Sequence, residues 1–324
     1  IVSGLAALTV SGAKPPNILF IAADDLRPQL GCYGYEQMIT PNLDALAARG
    51  VLFERAYCSA ATCRASREAT LSGLRPDTTG VYTNGGAGFR KRWPKHQTLP
   101  QFFKNQGYRS QSLGKIFHGA FVVRGKWNDK ISWSLPSWWP GPRYYYTPEG
   151  IESARQAFSR SSDGQGKAVD EWVKHFVLGQ SWEAPEVDDG VLYDGQVADK
   201  AIATLREIDG QGSDQPFFLA VGFLKPHLPF IAPNRYWDLY PAHEVVVADN
   251  QHPPAGSPAV ALTKWGHPRS YTDVPGSGPM PEALVAKLTR GYAACVSYVD
   301  AQVGRVLAEL DELGLREDTI VVFW

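Results

Sequence analysis

The chain has 324 residues, of which 44% are hydrophobic and 20% charged, ordinary globular usage that excludes disordered and fibrous proteins. Its 32 basic and 33 acidic residues leave a formal net charge of −1, without the basic surplus of a nucleic-acid binder. No apolar run reaches the roughly 18 residues that span a bilayer, and four cysteines (Cys32, Cys58, Cys63 and Cys295) are too few for a disulfide scaffold.

Residues 1–13, IVSGLAALTVSGA, are apolar and small. They read as the remnant of a secretory signal peptide with Ser11-Gly12-Ala13 as its cleavage site, which implies an exported protein. A short strand or loose terminus is the other reading. Asn17 to Ala23 is a continuous apolar run, as expected of a parallel strand buried on both faces. Thr40 to Gly50 has a capping residue, Pro41, apolar positions at helical spacing and a closing Gly, and predicts a helix. Val51-Leu52-Phe53 reads as a strand. Cys63, Ser66 and Arg67 open a helical pattern that ends at Gly73. Leu99 to Gly107 predicts a helix and Tyr108 to Leu113 its strand. Val197 to Ile208 is amphipathic, and Pro216 to Phe223 is a second buried strand. Leu284 to Leu313 reads as a long helix with one break, and Thr319 to Trp324 as a final strand. The alternation implies an α/β fold with a large, mostly parallel sheet between helices. Gly119 to Gly150 and His243 to Pro281 read as long surface excursions, of the kind that carry binding function.

Asp24-Asp25 stand where the first strand ends, and ligands of open α/β sheets collect at that edge. Adjacent carboxylates repel unless a cation or basic groups neutralise them, and hard oxygen donors suit Ca²⁺ or Mg²⁺. A solvated turn is the alternative. Cys63, at a helix N-terminus with Arg67 one turn on, reads as part of an anion site and as a thiol of depressed pKa, or else as a small buried Cys. The run Arg90 to His96 (RKRWPKH) reads either as a dock for a polyanion or as a solvated loop. Trp127, Trp133, Trp138, Trp139, Tyr144, Tyr145 and Tyr146 crowd one excursion, either to stack on sugar rings or to anchor the loop. Cys32, Cys58 and Cys295 read as core residues or as a possible pair.

Cys63-x-Ala65-Ser66-Arg67-x-x-x-Leu71-Ser72-Gly73 resembles the signature of the formylglycine-dependent sulfatases. Asp24-Asp25-Leu26-Arg27-Pro28, Arg75-Pro76-Asp77-Thr78-Thr79, Gly114-Lys115-Ile116-Phe117-His118, Lys225-Pro226-His227 and Val296-Ser297-Tyr298-Val299-Asp300 follow the same family in order, nearest to its iduronate-2-sulfatase-like branch. The resemblance implies an alkaline-phosphatase-like fold, with residues 14–324 as the N-terminal catalytic domain. It implies hydrolysis of a sulfate ester on a sulfated sugar, with Cys63 oxidised to formylglycine by a maturation enzyme. A divalent metal, Ca²⁺ before Mg²⁺, would be held by Asp24, Asp25 and the modified Cys63. Arg67 would hold the formylglycine hydrate. Lys115 and Lys225 would bind sulfate. His118 would take a proton as sulfate leaves, and His227 would protonate the departing alcohol.

Two departures are mild: Ala65 stands where Pro is commoner, and Ser72 where Thr is commoner. In the family an Asp-His pair and a further Lys follow the strand matching Thr319 to Trp324. The resemblance therefore implies a chain cut before its last metal ligands and its C-terminal part. The expected setting is exported: periplasmic, extracellular or lysosomal, without nucleic acid or membrane partners. Two alternatives stand beside this one: a phosphoryl or phosphonate ester hydrolase of the same superfamily, and a non-catalytic carbohydrate-binding fragment.

Overall fold

Every position of Phe217–Pro226 is buried, and this apolar run forms strand β4 inside a four-stranded parallel sheet. The computed structural model describes residues 14–118, 128–141, 145–161, 163–169, 171, 177–248, 250, 252–261 and 266–324. The sheet order is β2 (Arg109–Gly114), β4, β1 (Asn17–Asp24) and β6 (Thr319–Phe323), and every pairing is parallel. Two short strands, β3 (Trp182–Glu183) and β5 (Phe230–Ile231), pair separately. The helices are α1 (Pro41–Ala48), α2 (Cys63–Ser72), α3 (Pro76–Thr79), α4 (Leu99–Asn105), α5 (Pro148–Arg160), α6 (Tyr193–Gly210), α7 (Asn234–Trp237) and α8 (Glu282–Glu312).

Strand alternation divides the core in two. Leu19 and Ile21 of β1, with Leu219 and Val221 of β4, face a cluster that includes Val197 and Leu205 of α6 and Val299 and Val303 of α8. Ile18, Phe20 and Ala22, with Phe218 and Ala220, face a second cluster with Leu71, Phe117 and Trp133. There the Phe218 ring stacks on Phe103 at a centroid distance of 4.9 Å. The two central strands, β1 and β4, are thus apolar on both faces and read as unbroken hydrophobic runs, whereas β2 (RSQSLG) is buried but polar and β6 alternates half-buried and exposed positions.

Several expectations change. Val51-Leu52-Phe53 is irregular chain, with Val51 81% and Phe53 70% exposed. No strand among the described residues lies beside it to supply ladder hydrogen bonds. Helix α8 runs unbroken for 31 residues. Its Gly291 is there for contact, since a Cβ at this position would stand 2.7 Å from Cη2 of Trp237 and 3.0 Å from Cβ of Phe230. Helix α5 was not foreseen, although Thr147-Pro148 is a start signal and the Thr147 side chain accepts the N–H of Gly150.

In the first excursion Trp133 and Tyr145 are buried, and Trp138, Trp139 and Tyr146 pack against the core, so the described aromatics anchor the loop. Trp127, Tyr144 and residues 1–13 lie outside the described residues. All four cysteines are free thiols; Cys295 is buried, but Cys58 is exposed rather than core. The basic run is largely tied down. Arg90 forms a two-bond pair with Asp129, and Nε2 of His96 lies 2.6 Å from the Ser72 carbonyl, leaving Lys91 and Lys95 exposed. No helix of the described residues is long and apolar enough to cross a membrane.

Candidate active site

The carboxyl ends of β1, β2 and β4 bring together Asp24, Lys115 and His227, and the first turn of α2 adds Cys63 and Arg67. Asp25 has left-handed backbone (φ 60°), so the chain bends as soon as β1 ends. Cys63 Sγ lies 3.5 Å from Oδ1 of Asp25 and 3.9 Å from Oδ2 of Asp24. His227 Nε2 is 3.8 Å from Oδ2 of Asp25. Asp24, Asp25, Cys63 and His227 each offer a ligand atom, and these atoms all lie within 4.8 Å of one another.

Asp24 is compensated from two sides. Arg67 donates to its Oδ1 from Nε at 3.2 Å and Nη2 at 2.8 Å, and the Lys115 ammonium donates to Oδ2. Burial acts to raise the Asp24 carboxyl, but Lys115 and Arg67 outweigh it and hold the group far below the usual carboxylate range. The remaining nitrogen of Arg67, Nη1, donates to the carbonyls of Lys115 and Ile116 at 2.5 and 2.9 Å, which ties α2 to the end of β2. At Asp25 the enclosing protein, and then the charge of Asp24, raise the carboxyl.

The Cys63 thiol behaves opposite to the expectation of a depressed pKa. Burial, with the charge of Asp24 adding to it, pushes the thiol up to about 12. An unmodified Cys63 is therefore a protonated, weakly nucleophilic thiol at neutral pH.

Two imidazoles border the cluster. His118, after β2, is buried, and burial followed by the Lys115 charge lowers it to about 3. His227 is lowered to about 3 by the same two causes in the same order. Its Nδ1 lies against the Leu228 carbonyl, which assigns the proton to Nδ1 and leaves Nε2 facing Asp25. With no substrate bound both rings are neutral at pH 7, so His227 does not titrate near neutrality unless a bound anion raises it.

Lys225 stands near the end of β4. It is buried, and its ammonium donates to the carbonyls of His227 at 2.9 Å and Pro229 at 2.5 Å, so it ties its own turn together. Two residues went unnoticed in the sequence. Asp194, at the start of α6, is 1% exposed and accepts the N–H groups of Leu224 and Lys225. His267 stands edge-on to His227 with ring centroids 5.5 Å apart. Neither carries a local motif; both are found only through contacts distant in sequence.

The donor set fits a hard divalent cation on one condition. With a thiol at position 63 it is a mixed oxygen, sulfur and nitrogen set. With oxygen at position 63, three of the four neighbouring donors would be oxygens, the donor type that Ca²⁺ prefers.

A family model described as Sulfatase matches residues 16–324. Iduronate 2-sulfatase of Mus musculus is 38% identical over 317 residues, which cover 95% of this chain and 53% of that protein. The Homo sapiens iduronate 2-sulfatase is 37% identical, with 95% and 54% covered. Among solved structures, the phosphonate monoester hydrolase of Agrobacterium radiobacter superposes with a TM-score of 0.64 at 23% identity, covering 95% of this chain and 62% of that one. That likeness establishes the fold, an α/β architecture of the alkaline-phosphatase type. The chain spans about half the length of the curated relatives it matches.

Proposed function

The chain belongs to the sulfatase family, and we propose that it serves the hydrolysis of a sulfate ester on a sulfated sugar, with a 2-O-sulfated uronic acid as the substrate class. The observation that carries this reading is the meeting of Cys63 with Asp24, Asp25 and His227 within 4.8 Å, beside the cations Lys115 and Arg67. The substrate class rests on the likeness to iduronate 2-sulfatases over 95% of the chain.

Formylglycine, made from Cys63 by a maturation enzyme and then hydrated, would supply an attacking oxygen and a second hydroxyl for the release of sulfate. Asp24, Asp25 and oxygen at position 63 would hold a divalent cation, with Ca²⁺ the best match to these donors, and it would supply screening for the negative ester. The chain's own groups do the rest. Arg67 neutralises the wall behind position 63 and fixes Asp24. Lys115, whose ammonium donates to Asp24 beside Cys63, would bind sulfate oxygens. His118, neutral, is in the state needed to take a proton from position 63. His227 presents Nε2 to the site. Burial, and after it the Lys115 charge, depress this ring; a bound sulfate ester would offset the Lys115 charge and so favour the protonated form that can donate to a leaving sugar oxygen. Lys225 shapes the turn that carries His227 and is not assigned to sulfate. The expected setting is exported, where a maturation enzyme has acted on Cys63 before folding.

The test is sulfate release from a 2-O-sulfated uronate disaccharide, measured beside a phosphonate monoester, by protein made in a host that installs formylglycine. Sulfate release, formylglycine in the Cys63 peptide by mass spectrometry, and loss of turnover in Cys63→Ala are the expected results. Activity retained with only free thiol at Cys63 would overturn the mechanism. Hydrolysis of the phosphonate alone would move the chain to a different ester class. Binding of the sugar without turnover would leave a carbohydrate-binding fragment.

A further inference from the structure

We propose that Asp194 is a positioning residue for His227, fixing the irregular end of β4 from which the imidazole is presented. This rests on the reading of His227 as proton donor to the leaving alcohol.

The argument begins with register. Ala22 pairs with Gly222, but Asp24 pairs with Pro226, so four residues of β4 advance against two of β1. The surplus backbone of Phe223 to Lys225 bulges out of the ladder, and buried N–H groups in a bulge need acceptors from elsewhere. Asp194 supplies two: Oδ1 accepts the N–H of Leu224 at 2.7 Å and Oδ2 accepts that of Lys225 at 2.8 Å. Both oxygens of a carboxylate 1% exposed are therefore committed to this bulge.

Beyond it the turn is knit from within. The His227 N–H donates to the Leu224 carbonyl at 3.1 Å, the Lys225 ammonium donates to the carbonyls of His227 and Pro229, and His227 Nδ1 meets Leu228. Asp194 thus joins a self-contained turn to the first turn of α6, which packs on β4. A bulge re-aims the side chains that follow it, and here it delivers Nε2 of His227 to the Asp25 side of the site. An amide cannot replace the carboxylate in full, because Asn has one acceptor oxygen where two N–H groups must be received.

The test compares Asp194→Asn, Asp194→Ala and His227→Ala in the full encoded protein, on a sugar sulfate and on nitrophenyl sulfate. A sugar alcohol needs a proton to leave, whereas nitrophenolate hardly does. Removing His227 should slow the sugar sulfate by roughly 10²–10⁴ and nitrophenyl sulfate far less. Asp194→Asn should show the same selectivity at smaller size, roughly 10- to 10²-fold in kcat on the sugar sulfate with little change in KM, since the imidazole is displaced and not removed. In a His227→Ala background, Asp194→Asn should cost no further selectivity. Thermal melts of each variant separate loss of fold from loss of aim, and the isosteric Asn variant serves if Ala fails to fold. Equal losses on both substrates, or added selectivity without His227, would overturn the role of Asp194 while leaving His227 as the acid. A non-selective loss in His227→Ala would overturn both assignments together.

Discussion

Arg67 and Asp24 are joined by two hydrogen bonds that end on one oxygen, Nε and Nη2 of the guanidinium both reaching Oδ1. The pair is buried, and the second carboxylate oxygen belongs to Lys115. The most basic part of the site is therefore assembled around a carboxylate before any ligand arrives.

Arg67→Ala should destabilise the fold by about 3 kcal/mol, the low end for breaking a buried pair, because Lys115 remains to compensate Asp24. Urea denaturation measures it. Arg67→Lys should recover only part of the loss, since one ammonium cannot span Asp24 and the carbonyls of Lys115 and Ile116. A change in Arg67→Ala below about 0.5 kcal/mol, ordinary for a surface residue, would contradict the compensation described here.

Calcium should raise the melting temperature of the matured protein, because the cation relieves two adjacent carboxylates. At a free concentration 100 times its dissociation constant the gain is about 2.7 kcal/mol. Asp25→Asn should remove most of the upshift, and a chelator should reverse it in the parent. An upshift unchanged in Asp25→Asn would place the ion elsewhere.

Asp194 sets a pH dependence whose sign follows from burial. Burial raises its carboxyl to about 6, outweighing the N–H groups of Leu224 and Lys225 and the charge of Lys225. Below the unfolded value of about 3.9 both states hold the proton, and the contribution to stability is complete. Between there and about 6 the unfolded chain ionises while the folded chain does not, so the contribution is lost as pH rises. The stability difference between the parent and Asp194→Asn should therefore decline from pH 4 to pH 6 and be flat above. Parallel curves across that window would show that Asp194 does not titrate there.

Gly291→Ala should destabilise the protein even though Ala favours helix by about 1 kcal/mol. The new methyl would meet Trp237 at 2.7 Å, and overpacking of this kind costs typically 1–3 kcal/mol. A higher melting temperature in the variant would show that Trp237 yields freely.

The strands and α2 were legible because their signals are local. A strand buried on both faces is written as an apolar run, and Cys63 to Gly73 carries a helical pattern with its own terminator, a Gly at φ 69°. The convergence of Asp24, Lys115 and His227 follows from parallel strands ending on one edge, and Cys63 joins them from the start of α2. What the sequence hid depends on partners far along the chain. Val51 to Phe53 has the composition of a strand but no neighbour to pair with among the described residues. The expected break in Leu284 to Leu313 is absent, and the glycine inside that helix, Gly291, is explained only by Trp237 packed against it. Lys225 reads as a free cation near an anion site, yet the carbonyls that take its ammonium lie two and four residues on, in a turn whose shape is not written in its residue types. Asp194 is 30 and 31 residues from the N–H groups it receives. Asp300 is similar: its carboxylate receives the N–H groups of Asn42 and Leu43, 258 and 257 residues away, and fastens α1 to α8.

The bend at Asp25 has a consequence for reading other chains of this shape. In a straight strand two neighbouring residues point to opposite faces, so adjacent carboxylates could not share one ligand. Left-handed backbone at the second residue brings both to Cys63. That backbone region accepts Gly, Asn and Asp and resists β-branched residues. The backbone by itself would therefore accept Gly or Asn at position 25, and neither would bring a second negative charge beside Cys63.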